Sequence, residues 1–234
     1  MKRLAIAALA APLILVPTLA FAESKNFDVD TFHGVDVAAG IHAVVTGGKP
    51  LSVVADTANA RDFEDLRVEV RGGILHVWRE WSLGDLFNWN RPDITVTVGT
   101  EILDSVEASS GALIEATGIV GEDIRLGASS GANVRADKIE GLSYEIESSS
   151  GARIEASGLC TAAKVESSSG ASVAAKNLDC KTATVGVSSG AWIELTVRDK
   201  LTADASSGGS ATIYGRPSVD RLESSSGGSV SFRD

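Results

Sequence analysis

The chain has 234 residues with 31 acidic against 21 basic side chains, a formal charge of −10, and that balance disfavours nucleic acid and anionic lipid as partners. Cations, basic partners and neutral polymers remain open. Aromatic residues make up only 5% of the chain, which excludes a thick core of large side chains and leaves a thin one built from small residues.

The first segment reads MKRLAIAALAAPLILVPTLAFAES. Lys2 and Arg3 precede an apolar run from Leu4 to Leu19, and Ala20-Phe21-Ala22 supplies an A-x-A cleavage site. Pro12 and Pro17 interrupt the run, and no later stretch approaches the roughly 18 apolar residues that a membrane span needs. Residues 1–22 are therefore read as a signal peptide. No transmembrane segment is expected after its removal, and no Cys follows the site to carry a lipid. The chain is expected to be exported, to the periplasm or to the cell surface and beyond.

Residues 23–100 are expected to form less regular β rungs, with the solenoid starting near residue 27. In VDVAAGIHAVV, the residues Val35, Val37, Ala39, Ile41, Ala43 and Val45 share one parity, the period of a strand with one buried face. TANARDFEDL (57–66) suggests a short helix. LRVEVRGGILHVW (66–78) reads as a hairpin about Gly72-Gly73, and DITVTV (93–98) as a further strand. Between them, WREWSLGDLFNWNRP (78–92) gathers Trp78, Trp81, Phe87 and Trp89 with Arg79 and Arg91. Such a cluster suits either a cap over a solenoid edge or a binding patch that stacks on sugars or docks a partner.

Residues 101–234 repeat one phrase. The first Ser of each SSG stands at 109, 129, 149, 168, 188, 206 and 225, spacings of 18 to 20 residues. A constant short period means a solenoid, in which each rung buries its face only against its neighbours. Within a rung, Ile146, Ser148, Ser150, Ala152 and Ile154 alternate with Glu145, Glu147, Ser149, Arg153 and Glu155. The fold class is therefore all-β, a right-handed parallel β-helix of about 19–20 residues per rung, with residues 23–234 one continuous domain. Parity places the second Ser of each pair (Ser110, Ser130, Ser150, Ser169, Ser189, Ser207, Ser226) inward, as a buried hydroxyl ladder at a corner that Gly allows to bend. Seven copies without a neighbouring His are structural rather than nucleophilic.

FHGVDVAAGIHAVVTGGKPLSVVAD, then LRVEVRGGILHV, then DITVTV, then the SSGA units together resemble the head GIN domain family, described as autotransporter adhesin heads. The resemblance runs over nearly all of the chain after its leader. It implies a right-handed β-helical fold and an exported location, and it implies no particular activity. The repeats run to Phe232-Arg233-Asp234, so no translocator barrel is expected to follow.

Chemistry has few places to reside. Two residues before each first Ser lies an outward column: Glu107, Gly127, Glu147, Glu166, Gly186, Asp204 and Glu223. Glu147 and Glu166 fall on adjacent rungs, roughly 5 Å apart, and are the weak candidate pair for a hard cation or an acid/base role. Arg125 and Lys164, one outward position away, would neutralise them as a solvated face. His33, His42 and His76 show no ligand-like spacing, so neither a metal nor any other cofactor is expected. Cys160 and Cys180 each precede their SSG by eight residues, which puts them side by side on successive rungs and predicts a disulfide.

No catalytic residues emerge. The sequence reads as a non-enzymatic β-solenoid of the cell envelope that binds or organises an envelope component, a glycan or a protein. The Trp-rich segment is the candidate contact surface, and Trp192, of outward parity, would extend it. A carbohydrate-active β-helix enzyme is the alternative. The last rung, Leu222 to Phe232, shows no cap and offers an edge for end-to-end self-association.

Overall fold

The computed structural model describes residues 23–80 and 93–234. It is a β-solenoid of about six turns, and 67% of it is strand. In chain order the strands are β1 (Glu23–Asn26), β2 (Gly34–Val37), β3 (His42–Gly47), β4 (Ser52–Thr57), β5 (Leu66–Arg71), β6 (Ile74–Arg79), β7 (Thr95–Thr100), β8 (Ser105–Ala108) and β9 (Leu113–Thr117). The later ones are β10 (Val120–Ala128), β11 (Asn133–Ser148), β12 (Arg153–Ser167), β13 (Ser172–Val187), β14 (Trp192–Ala205), β15 (Ser210–Tyr214), β16 (Ser218–Ser224) and β17 (Ser229–Arg233).

The strands build two long faces. The first runs β5–β6–β2–β8–β10 and on through the second halves of β11 to β14 to β16. The second runs β1–β4–β7–β3–β9 and through the first halves of β11 to β14 to β15 and β17. Rung on rung, the pairing is parallel. Only at the N-terminal end is it antiparallel, through β5 on one face and β4 and β1 on the other. The hairpin of β5 and β6 turns through Gly72 and Gly73, both at positive φ. Instead of a helix over 57–66 there is one 3-10 turn, Ala60–Phe63, whose N-terminal amide on Arg61 is held by the Asn59 side chain.

Inward residues alternate along each strand and are almost wholly buried: Val106, Leu126, Ile146 and Val165 on the first face, Ile114, Val134, Ile154 and Val173 on the second. Branched aliphatics and alanines make up most of this core, and Tyr144 is its largest fully buried side chain. The narrow cross-section has no room for more. At the C-terminal end, β16 and β17 each pair on one side only among the described residues, and Leu222 and Phe232 stay 46% and 45% exposed.

The repeated SSGA is a turn, and here the parity reading needs correction. Ser110, Ser130, Ser150, Ser169, Ser189, Ser207 and Ser226 are all exposed, with φ between 48° and 54°. Each is followed by a Gly at positive φ, and in each of the seven turns from Ser109 to Ser225 the amide three residues after the first Ser donates back to that Ser's carbonyl, as Ala132 does to Ser129 at 3.1 Å. Two successive left-handed residues make a type I′ turn, so the alternation stops for two residues and the Ser side chain projects outward. A β-carbon on Gly131 would meet nothing within 4 Å, so Gly is there for its backbone conformation and not for space. Ala39 and Gly40 form the same left-handed pair in the first rung. Just before the turns, the buried serines are Ser148 and Ser167, each one residue ahead of its turn; Ser148 Oγ donates to the carbonyl of Ala152 at 3.2 Å.

Candidate binding surfaces

Strict register carries outward side chains into rows across the rungs, about 4.8 Å apart. On the first face one row reads Glu69, His76, Asp36, Glu107, Gly127, Glu147, Glu166, Gly186, Asp204 and Glu223. It forms one side of a groove of about 580 Å³, whose other side carries the first Ser of the turns, among them Ser109, Ser149, Ser168 and Ser188. The glycines shape the row. The β-carbon that Gly127 lacks would lie 3.2 Å from Glu107 Cγ, and that of Gly186 3.6 Å from Glu166 Cγ, so these glutamates lean over the neighbouring rung.

Repulsion along the row is relieved by cations set one outward position away. Lys164 Nζ lies 3.1 Å from Glu166 and 3.5 Å from Glu145, and Arg125 lies 2.7 Å from Glu145. The hydrogen bond to Glu166 and its charge hold the Lys164 ammonium above the ordinary lysine range. His76 Nδ1 lies 3.0 Å from Asp36, and Arg221 lies 2.8 Å from Glu223. Glu147 and Glu166 do stand on paired positions of adjacent strands, and both are exposed. Glu166 of this pair is already held by Lys164 as part of a solvated charged face. Among the described residues no group of three or more His, Cys, Asp or Glu side chains could hold a metal ion.

The remaining predicted residues scatter. Trp78 and Arg79 end β6, where the Arg71 guanidinium stacks 5.4 Å from the Trp78 ring centre. Trp81, Phe87, Trp89 and Arg91 lie outside the described residues. Trp192 opens β14 on the second face, six strand spacings or about 29 Å from the rung of Trp78, so those two rings do not share a patch. Cys160 and Cys180 pair in register on the short segment that links the two faces, with Cα atoms 4.6 Å apart, and are joined by a disulfide. The three histidines stand apart, each beside its own carboxylate: His33 with Asp104 at 2.7 Å, His42 with Glu115 at 3.3 Å, His76 with Asp36.

Two groups escaped the sequence reading. Asp36, His76 and Glu69 continue the carboxylate row into the N-terminal rungs. Asp36 precedes Gly40 by four residues, as Glu107 precedes Gly111, and that offset was the available signal. The second face carries Tyr214, whose hydroxyl lies 3.3 Å from Glu194 and whose ring lies 4.3 Å from Lys176 Nζ. No local pattern marks these three, because they come from three different rungs.

Comparison with known proteins fits this architecture. The family model "Putative auto-transporter adhesin, head GIN domain" matches residues 31–217. A solved "putative adhesin" from Bacteroides fragilis superposes with a TM-score of 0.79 at 13% identity, over 91% of this chain and 96% of its own. A "putative adhesin" from Parabacteroides distasonis gives 0.71 at 15% identity, over 92% and 98%. A "putative lipid binding protein" from the same species gives 0.65 at 15%, over 91% and 97%. No curated protein sequence matches. At these identities the likeness is one of fold.

Proposed function

Because the chain belongs to the head GIN domain family of auto-transporter adhesins, we propose that it is an exported, non-enzymatic binding module that uses its first face on an extended component of the cell envelope. The groove beside the carboxylate row carries this reading. It repeats a Ser hydroxyl on each rung from Ser109 to Ser206 and a carboxylate on most of them, with gaps at Gly127 and Gly186, and a rigid row of this kind suits a partner that is itself extended and bears amino or hydroxyl groups. Many weak, solvated contacts add up only if they engage together, and the solenoid fixes their spacing in advance. No helix among the described residues is long and apolar enough to cross a membrane.

The test is binding of the purified chain to isolated envelope fractions and to their extracted polysaccharide. A variant with Glu107→Gln, Glu147→Gln and Asp204→Asn is run beside it. Weaker binding by the variant at an unchanged unfolding midpoint supports the groove. Equal binding by both sinks it, and release of new reducing ends from the polysaccharide would favour an enzyme instead. The open last rung supports a second reading, end-to-end self-association through Leu222 and Phe232, which sedimentation of the same samples measures.

A further inference from the structure

On the second face Trp192, Ser172 and Arg153 occupy one outward position on three successive rungs. Two strand spacings, roughly 9.6 Å, separate the outer pair along the backbone. Their side chains nevertheless meet, with the Arg153 guanidinium carbon 5.5 Å from the Trp192 ring centre. The only place for that contact is above Ser172. Accordingly Ser172 is just 7% exposed although it points outward, whereas Ser210, on the other side of Trp192 in the same row, is exposed. The guanidinium therefore takes one face of the indole above Ser172, and no other cation or ring among the described residues engages the opposite face.

Arg153 is itself fixed, because its Nε donates to Glu155 at 2.7 Å, and Arg135 lies 3.5 Å from the same carboxylate. The next outward position holds Glu155, Ala174 and Glu194 on the same three rungs. Ala174 leaves a dip between two carboxylates, roughly 7 Å along the strand from the Trp192 row. The Tyr214 hydroxyl donates to one oxygen of Glu194 at 3.3 Å, which leaves the other oxygen to a ligand.

We infer that Trp192 is a saccharide-stacking platform, with Glu194 and Glu155 as the acceptors for hydroxyls of a pyranose ring laid on the indole. A ring of that kind presents an apolar C–H face and an edge of hydroxyl donors, which matches an isolated flat indole bordered by carboxylates. The surroundings argue against a peptide side chain, since Ser172, Ala174, Glu194, Ser210 and Thr212 offer no apolar pocket for an anchor. The platform is also preorganised. The cation–π contact and the packing on Ser172 hold the ring before any ligand arrives, so little side-chain entropy is lost on binding. This site is on the other face from the acidic groove and does not depend on it.

The experiment titrates the purified chain with soluble chitohexaose, cellohexaose and mannohexaose, and with a proline-rich peptide, following heat of binding and tryptophan fluorescence. At least one hexasaccharide should bind. Trp192→Ala should weaken that binding by roughly tenfold or more, Trp192→Phe should retain part of it, and all variants should keep the wild-type unfolding midpoint. Arg153→Ala, which frees the ring without removing it, should weaken binding by a smaller factor. Failure of all three saccharides to bind overturns the inference. So does a Trp192→Ala variant that binds as wild type, or binding of the peptide alone.

Discussion

The amide of Gly131 donates to the carbonyl of Ser150, on the next rung, at 3.1 Å, and the same Gly-to-Ser bond recurs from Gly40 to Gly208 at 3.0–3.2 Å. The repeated phrase thus builds a backbone ladder down one corner of the solenoid. The second Ser contributes its carbonyl and its left-handed conformation, and its side chain stays in water.

That geometry sets the outcome of substitutions at the turn. Ser150→Val should destabilise the protein by about 1–3 kcal/mol, because a β-branched residue at positive φ is strained. Ser150→Gly should be neutral or mildly stabilising. Ser149→Thr, at a position outside the positive-φ pair, should stay within about 0.5 kcal/mol of wild type. Denaturant unfolding of the three variants distinguishes strain from burial, since a buried hydroxyl at Ser150 would make the Gly variant the costly one.

The Cys160–Cys180 bond closes a loop with a sequence separation of 20. Constraining such a loop in the unfolded chain is worth about 3 kcal/mol, or a midpoint shift of roughly 6–12 °C for a domain of this size. Replacing both residues by alanine, or reducing the bond, should lower the unfolding temperature by that amount. Two titratable thiols in the denatured, unreduced protein would be incompatible with the bond.

Tyr144 gives the fold an alkaline limit. Burial, and then the charge of Glu140, push its phenol from 10.0 to about 12, and its hydroxyl donates to the Leu159 carbonyl at 3.0 Å. The folded chain keeps this proton where the unfolded chain releases it. The contribution is therefore complete below pH 10 and is lost as pH rises toward 12. Tyr144→Phe should cost about 1 kcal/mol at neutral pH through the missing hydrogen bond. Its stability should then fall less steeply than wild type between pH 10 and 12. Parallel curves from the two proteins across that range would show that Tyr144 is not the titrating group.

The sequence by itself determined the repeat, the alternation and the rows that follow from them. A period of 18 to 20 residues with strict parity forces strands into parallel register, so Glu147 beside Glu166 and Cys160 beside Cys180 could be read from offsets alone. The same rule misplaced the second Ser of each pair. Two left-handed residues suspend alternation without changing the count, and side chains as small as Ser leave no hydropathy signal to reveal it. The β5–β6 hairpin was legible too, but only the tertiary structure decided that β4 and then β1 finish the second face, because the antiparallel partner of β7 is chosen by an edge formed elsewhere in the chain. It alone decided that Trp192 leans across Ser172 to Arg153 instead of toward Ser210. That choice rests on a cation two rungs and 39 positions away, a distance at which sequence pattern carries no direction and a guanidinium against a ring face does.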